Sequence, residues 1–118
     1  MTDIKRSHTT ARMSKIVVCG ELVFLCGQTS SGSDAADAAG QTAEILRRVD
    51  ALLAEAGCDR SRMLSALIHL KTMDDFAAMN AVWDAWLPAS AAPARTTVEA
   101  RLASPNLLVE ITVVAARS

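Results

Sequence analysis

Short apolar runs separated by small polar segments mark the first part of the chain. Two β-rich runs within residues 16–28 flank Gly20 and Glu21, and a glycine at the first central position suits a two-residue type II′ hairpin. The second run, 22–26, is apolar on both faces, which is typical of a strand buried on both sides. Residues 29–33 are small and polar and therefore predict a loop.

Two later segments have the spacing of amphipathic helices. The first starts at Asp34 and ends before Gly57, a glycine that suits a left-handed C-cap. Its apolar face is Ile45, Val49, Leu52, Leu53 and Ala56. The second starts at Asp74, which we interpret as an N-cap, and ends before Pro88. Its apolar face is Phe76, Met79, Trp83, Trp86 and Leu87.

Alternation with period two predicts three further strands. Residues 63–71 alternate between the helices, and residues 95–102 and 109–116 are interpreted as a C-terminal hairpin around the turn 103–106. The element order is therefore hairpin, helix, strand, helix, hairpin. It predicts an α+β protein with a single domain over residues 1–118, a mixed β-sheet and both helices on one face.

The sheet face without helices remains apolar in this prediction. It carries Leu67, Val114, Ala116 and alternate residues of 22–26. Because a chain of this size does not leave so much apolar surface in water, we expect a homo-oligomer formed through this open face.

Composition narrows the classes of partner. The chain has 118 residues, 51% of them hydrophobic, a net charge of −1 and no tyrosine. It lacks the basic face and the stacking aromatics of a nucleic-acid binder. No apolar run reaches the length of a membrane span and no secretory signal is present, so we expect a cytoplasmic protein. Cys19, Cys26 and Cys58 have no metal or redox spacing and are interpreted as small core or boundary residues.

Arg95 is the first candidate for a working group. It begins a predicted strand within Pro93-Ala94-Arg95, and Pro93 restrains the approach to it. A planar guanidinium suits a carboxylate or a phosphate. From periodicity alone, an exposed arginine at the end of a strand is the stronger alternative.

Glu110 is the second candidate, because it lies inside the most apolar strand of the chain. A glutamate in such a strand needs a partner or a proton. In the predicted hairpin it lies near the register of Arg95 or Thr97 and on the same face. Two interpretations stay open: a structural salt bridge to Arg95 or Arg101, and a carboxylate that positions or deprotonates water.

Metal and cofactor chemistry are not predicted. His8 and His69 have no neighbouring ligand at metal spacing, and His69 is interpreted as a surface or interface histidine. The glycines form neither a P-loop nor a dinucleotide fingerprint.

An ordered set of short motifs resembles the Rid (reactive intermediate deaminase, YjgF-like) family. The motifs are Gly27-Gln28, Gln41, Ala56-Gly57, Asp75-Phe76 with Asn80, Pro93-Ala94-Arg95 and Val109-Glu110-Ile111. The resemblance extends from about residue 12 to residue 115. It implies a fold like that of the bacillary chorismate mutase, assembled as a homotrimer with ligand clefts between neighbouring subunits.

The resemblance also implies the chemistry of the site. Archetypal members hydrolyse reactive enamines and imines to 2-keto acids and ammonia without a cofactor, a form of metabolite damage control. Arg95 corresponds to the residue that holds the substrate carboxylate, Glu110 to the one that orients or activates water, and Thr97 and Gly27 to ligand-contacting positions. Met13 corresponds to the substrate-binding position at which archetypal members have a tyrosine, so Arg12-Met13-Ser14 resembles divergent branches.

Three hypotheses follow from the resemblance. The first is a cofactor-free deaminase of small carboxylate-bearing enamines or imines. The second is a non-catalytic trimeric binder or sensor of small carboxylates such as 2-keto acids. The third is a ribonuclease or translation inhibitor, a label that some relatives carry and that the near-neutral charge disfavours.

Overall fold

A computed structural model describes residues 3–117 as two α-helices packed against one six-stranded mixed sheet. The elements are β1 (Ile4–Ser7), β2 (Ile16–Cys19), β3 (Leu22–Leu25), α1 (Ala38–Glu55), β4 (Met63–Leu70), α2 (Phe76–Trp86), β5 (Ala94–Glu99) and β6 (Val109–Ala116). The strand order is β1-β2-β3-β6-β4-β5. Only the β4/β5 neighbours are parallel within the described residues. The predicted α+β class is confirmed.

The first predicted hairpin is confirmed at its turn. Cys19 pairs with Leu22, which leaves Gly20 and Glu21 as the two turn residues, and Gly20 has φ +62°. A positive φ at the first turn residue alone fits the type II′ turn. The hydrophobic pattern did not predict β1, which pairs with β2 at the edge of the sheet and whose exposed Ile4 is the strand's only apolar residue.

Helix α1 begins four residues after the predicted start. The carboxylate of Asp37, not Asp34, accepts a hydrogen bond of 2.8 Å from the Gly40 N–H and caps the first turn. The end of the helix is confirmed, because Gly57 follows the C-cap with φ +77°. The residues that α1 buries are Ala38, Gln41, Thr42, Ile45, Leu46, Val49 and Leu53.

The predicted N-cap of the second helix is wrong. Asp74 lies inside a short 3-10 turn, Met73–Asp75, in which the Thr72 hydroxyl accepts a hydrogen bond from the Asp74 N–H. The tighter turn postpones the start of α2 to Phe76. The C-terminal end of α2 is joined to α1 by Trp86, whose ring N–H donates to an Asp50 carboxylate oxygen at 3.0 Å.

The predicted C-terminal hairpin is also wrong. β5 does not pair with β6, because β4 lies between them and pairs with β5 in parallel and with β6 antiparallel. The connection from residue 100 to residue 108 therefore crosses the end of β4 instead of forming a tight turn, and Lys71 N–H donates to Leu108 O there. Periodicity had given the alternation of side chains along β5 and β6 correctly, but not the neighbour of each strand; in β4 a register shift between Met63 and Ser65 leaves Leu64 exposed, on the side opposite to the predicted one.

The two faces of the sheet differ in what covers them. One face packs its buried residues, such as Ile68 and Ile111, against both helices. The other face leaves Leu22, Phe24, Leu67 and Val98 between 38% and 41% exposed, which confirms the predicted apolar open face. Within residues 3–117, neither helix is long and apolar enough to cross a membrane.

Candidate functional site

Glu110 lies on the open face of the sheet, and its carboxyl group rests against Gly27. A Cβ atom on Gly27 would lie 2.7 Å from Glu110 Oε2 and 2.9 Å from its Cδ, so the carboxyl occupies the space of a missing side chain. The backbones of Gln28 and Ile111 exchange two hydrogen bonds, of 2.8 and 3.0 Å. These bonds hold Gly27 beside Glu110, and only glycine allows so close an approach.

The Glu110 carboxylate has no ionic partner among residues 3–117: it forms neither a hydrogen bond nor an ion pair there. The structural salt bridge to Arg95 or Arg101, which the sequence left open, is therefore not formed within one chain. A half-buried carboxylate without a partner is uncommon in a purely structural role.

Arg95 lies on the opposite face of the edge strand β5. It pairs with the buried Ala66, so its side chain turns toward the helices. There its guanidinium carbon lies 5.5 Å from the centre of the Trp83 ring and 5.9 Å from that of Phe76. Two aromatic faces hold the guanidinium by cation–π attraction, and among the described residues it forms no salt bridge or hydrogen bond.

The expected placement of Arg95 and Glu110 on one face is wrong. Arg95 is level with Ala66 and Glu110 with His69, on either side of β4. Three residues along the strands and two strand spacings separate their Cα atoms by roughly 14 Å. Within the described part of one chain, a guanidinium without an ionic partner therefore lies on one face of the sheet and a carboxylate without one on the other.

Thr97 shares the face of Arg95, two residues further along β5. Its Oγ1 atom is buried without a hydrogen-bond partner among the described residues, and so is Asn80 Oδ1 on α2. Asn80 lies one helical turn from both Phe76 and Trp83, the residues that hold Arg95. The sequence analysis used Asn80 only for the resemblance; its polar side chain within an apolar helical stripe was the signal that it missed.

Met13 and Gly27 complete the predicted set, and the structure separates them. Met13 lies in the loop between β1 and β2, where it is 41% exposed and its carbonyl accepts a hydrogen bond from the Thr10 N–H. Gly27 follows β3 and contacts Glu110. Of the five predicted residues, the chain itself brings together Glu110 with Gly27, and Arg95 with Thr97.

The surroundings of Cys26 and Cys58 do not favour a reactive cysteine as the working group of the site. Burial raises the pKa of the Cys26 thiol, and the nearby Glu110 carboxylate acts in the same direction. Burial likewise raises the pKa of Cys58. A raised thiol pKa disfavours the reactive thiolate. Residues 3–117 contain no group of three or more His, Cys, Asp or Glu residues that could hold a metal ion.

Comparisons with known proteins agree over almost the whole chain. A family model described as Endoribonuclease L-PSP matches residues 4–117. The RutC family protein YoaB of Escherichia coli K12 is 42% identical over 113 residues, covering 96% of this chain and 97% of the relative. A solved structure of a YjgF-family protein from Neisseria meningitidis is 45% identical, covers 98% of this chain and 96% of its own, and has a TM-score of 0.95.

Proposed function

Because the chain belongs to the YjgF/RutC/Rid family, we propose that it hydrolyses small enamines or imines that carry a carboxylate, without a cofactor, to 2-keto acids and ammonia. The observation that supports this most strongly is that two charged side chains have no ionic partner among residues 3–117: Arg95, which lies against the Trp83 and Phe76 rings, and Glu110, which lies against Gly27. The first fits a carboxylate anchor and the second fits a group that orients water.

We propose further that the complete site forms between subunits of a homotrimer. Arg95 and Glu110 lie on opposite faces of one sheet, so one chain cannot direct both at the same small molecule. The open face exposes Val98 at the level of Glu110, Leu67 two residues further along the sheet and Phe24 at the level of Val114. If the neighbouring subunit covers this face with its β5 edge, the neighbour's arginine approaches the glutamate of the first subunit.

The reaction in such a cleft balances without any other group. Arg95 binds the substrate carboxylate through its guanidinium fork. Glu110 accepts a proton from water as the water oxygen bonds to the imine carbon, and then returns this proton to the nitrogen to give a carbinolamine. The C–N bond then breaks, the hydroxyl proton moves to the nitrogen, and ammonia leaves a 2-keto acid. An enamine first tautomerises to the imine.

The direct test measures ammonia release from 2-aminoacrylate and from imines that an amino-acid oxidase generates in situ. Arg95→Ala removes a charge-assisted contact and should lower kcat/KM by about 10- to 100-fold. Glu110→Gln should lower kcat, and the matched variant Arg101→Ala, an exposed arginine two residues beyond β5, should leave both constants unchanged. Wild-type rates equal to buffer, or to Arg95→Ala, would refute the proposal.

A complementation experiment tests the shared cleft. Arg95→Ala and Glu110→Gln subunits each lose most of their activity in this proposal, but co-expressed subunits create some clefts with both native residues. Random assembly of equal amounts restores about a quarter of the clefts. No recovery in demonstrably mixed oligomers would show that the two residues do not share a site across subunits.

A trimeric binder or sensor of 2-keto acids is the second candidate, and one observation favours it. The chain has no tyrosine, and the exposed Met13 stands at the position of the phenol in the archetypal members. A thermal shift with a 2-keto acid panel, together with no turnover of any imine, would support binding without catalysis. Arg95→Ala should abolish the thermal shift in either case.

The support for a ribonuclease or translation-inhibitor function comes only from the names of the family model and of a similar protein. The matching family model is described as an endoribonuclease, and a Salmonella typhimurium protein that is 42% identical, with a TM-score of 0.86, has been proposed to be a translation initiation inhibitor. The net charge of −1 and the scarcity of aromatic residues disfavour RNA as the ligand. Absence of RNA binding at low salt would exclude this function.

A further inference from the structure

His69 and Glu110 form a cross-strand pair on the open face. They are direct partners in the antiparallel β4/β6 ladder, so their Cβ atoms lie about 5 Å apart on the same side of the sheet. The residues on either side of each, such as Ile68 and Ile111, are buried against the helices. The imidazole of His69 therefore lies beside the Glu110 carboxylate, the group that orients the attacking water in the proposed function.

The two side chains do not bind each other. The Glu110 carboxyl leans over Gly27, on the β3 side of its strand, whereas His69 belongs to β4 on the other side. No hydrogen bond joins them among the described contacts. The pair therefore presents two separate polar groups toward the same open side.

The burial of one ring nitrogen determines what His69 can offer. His69 Nδ1 is buried and has no hydrogen-bond partner among residues 3–117. A proton on Nδ1 would leave a buried donor unpaired, which is more costly than a bare lone pair. In the neutral ring the proton therefore belongs on Nε2, which is then a hydrogen-bond donor.

A hydrogen-bond donor is the group that the ionised Glu110 carboxylate cannot supply to a ligand beside it. The keto oxygen of the product derives from the water that Glu110 orients, so it forms next to a group that only accepts hydrogen bonds when ionised. Across His69 from Glu110 lies Val98, which is apolar, and the Lys71 ammonium is already bonded to Pro105 O at 2.6 Å. Lys71 is thus engaged with Pro105, so the His69 Nε2–H is the donor that lies directly across from Glu110.

We propose that His69 is a ligand-binding residue of the cleft, whose Nε2–H donates a hydrogen bond to the keto oxygen of a 2-keto acid beside Glu110. This inference rests on the proposed function for the class of ligand. It assigns to His69 a role different from the surface or interface histidine that the sequence predicted.

NMR spectroscopy of protein with isotope-labelled histidine provides a test that does not depend on turnover. The chain has only two histidines, and His8 bonds to Glu55 in a different part of the molecule, so His8→Gln assigns both signals and serves as a matched control. Titration with 2-ketobutyrate should shift the His69 ring signals saturably and leave His8 unchanged. The nitrogen resonances should show an unprotonated Nδ1 and a protonated Nε2.

Affinity provides the second measurement. His69→Phe should weaken 2-ketobutyrate binding by about 2- to 10-fold, the value of one neutral hydrogen bond, whereas His69→Gln, which keeps a donor, should bind more tightly than His69→Phe. Unmoved His69 signals, together with Arg95-dependent binding, would overturn the role of His69 alone. Absence of any 2-keto acid binding by the wild type would instead overturn the proposed site. If His69→Phe alters the sedimentation of the oligomer, the 2-ketobutyrate titration of the wild type alone tests the role of His69, because it involves no substitution at that residue.

Discussion

Gly27→Ala isolates the contact on which the position of Glu110 depends. The added methyl group would lie 2.7 Å from Glu110 Oε2, and ordinary contacts begin near 3.4 Å, so the carboxyl has to move by about 0.7 Å. Only the end of a flexible side chain must shift, so we expect a change of less than about 1 kcal/mol in the free energy of unfolding. A displacement of this size in a catalytic group lowers kcat by about 10- to 100-fold.

The assay compares four proteins: wild type, Gly27→Ala, Glu110→Gln and the double variant. Ammonia release gives kcat for each, and thermal melting at one protein concentration confirms that the fold and assembly are retained. If the methyl group acts through Glu110, it should cause little further loss in the Glu110→Gln background. A Gly27→Ala enzyme within twofold of wild type, or an equal loss in both backgrounds, would refute this reasoning.

Three further predictions concern stability and assembly. Gln41→Leu should lower the free energy of unfolding by about 2–4 kcal/mol in denaturant titration, because the buried Gln41 side chain bonds two backbone carbonyl oxygens and the Leu108 N–H. The pKa of Glu44 is lowered to about 2 by hydrogen bonds from two arginines, so its stabilising effect is present above pH 4.5 and lost as the pH falls toward 2; the difference in Tm between wild type and Glu44→Gln should narrow over that range. Leu67→Glu should dissociate the oligomer in sedimentation, whereas Met73→Lys, at a similarly exposed residue outside the sheet, should not; an unchanged mass for Leu67→Glu would exclude the open face as the interface.

Local patterns were sufficient for those elements whose geometry depends on adjacent residues. The hairpin at Gly20 and the helix end at Gly57 were predicted because each requires a positive φ, which glycine adopts without strain. The apolar open face was predicted because alternation assigns each side chain to a side of its strand. None of these inferences needs knowledge of which strands are neighbours.

The hydrophobic pattern could not predict the order of the strands in the sheet. A tight hairpin between residues 95–102 and 109–116 satisfies the alternation as well as the observed sheet does, but β4 takes the intervening position. The error changed the predicted site, because it placed Arg95 and Glu110 on one face. β1 escaped prediction for a different reason: an exposed edge strand with Ile4 as its only apolar residue has almost no hydrophobic pattern.

The separation of Arg95 from Glu110 has a chemical use in the proposed reaction. Opposite charges within one pocket of one chain would pair, and the carboxylate of a substrate would then have to displace Glu110 from the guanidinium. Here about 14 Å of sheet separates the two Cα atoms, and the Trp83 and Phe76 rings hold the guanidinium on the helical side. Gly27 meanwhile lets the carboxylate recede against the backbone. In the proposed oligomer, each subunit thus holds its two charges apart before assembly, so a cleft between subunits could receive the substrate carboxylate at Arg95 of one subunit while Glu110 of the other remains available for water.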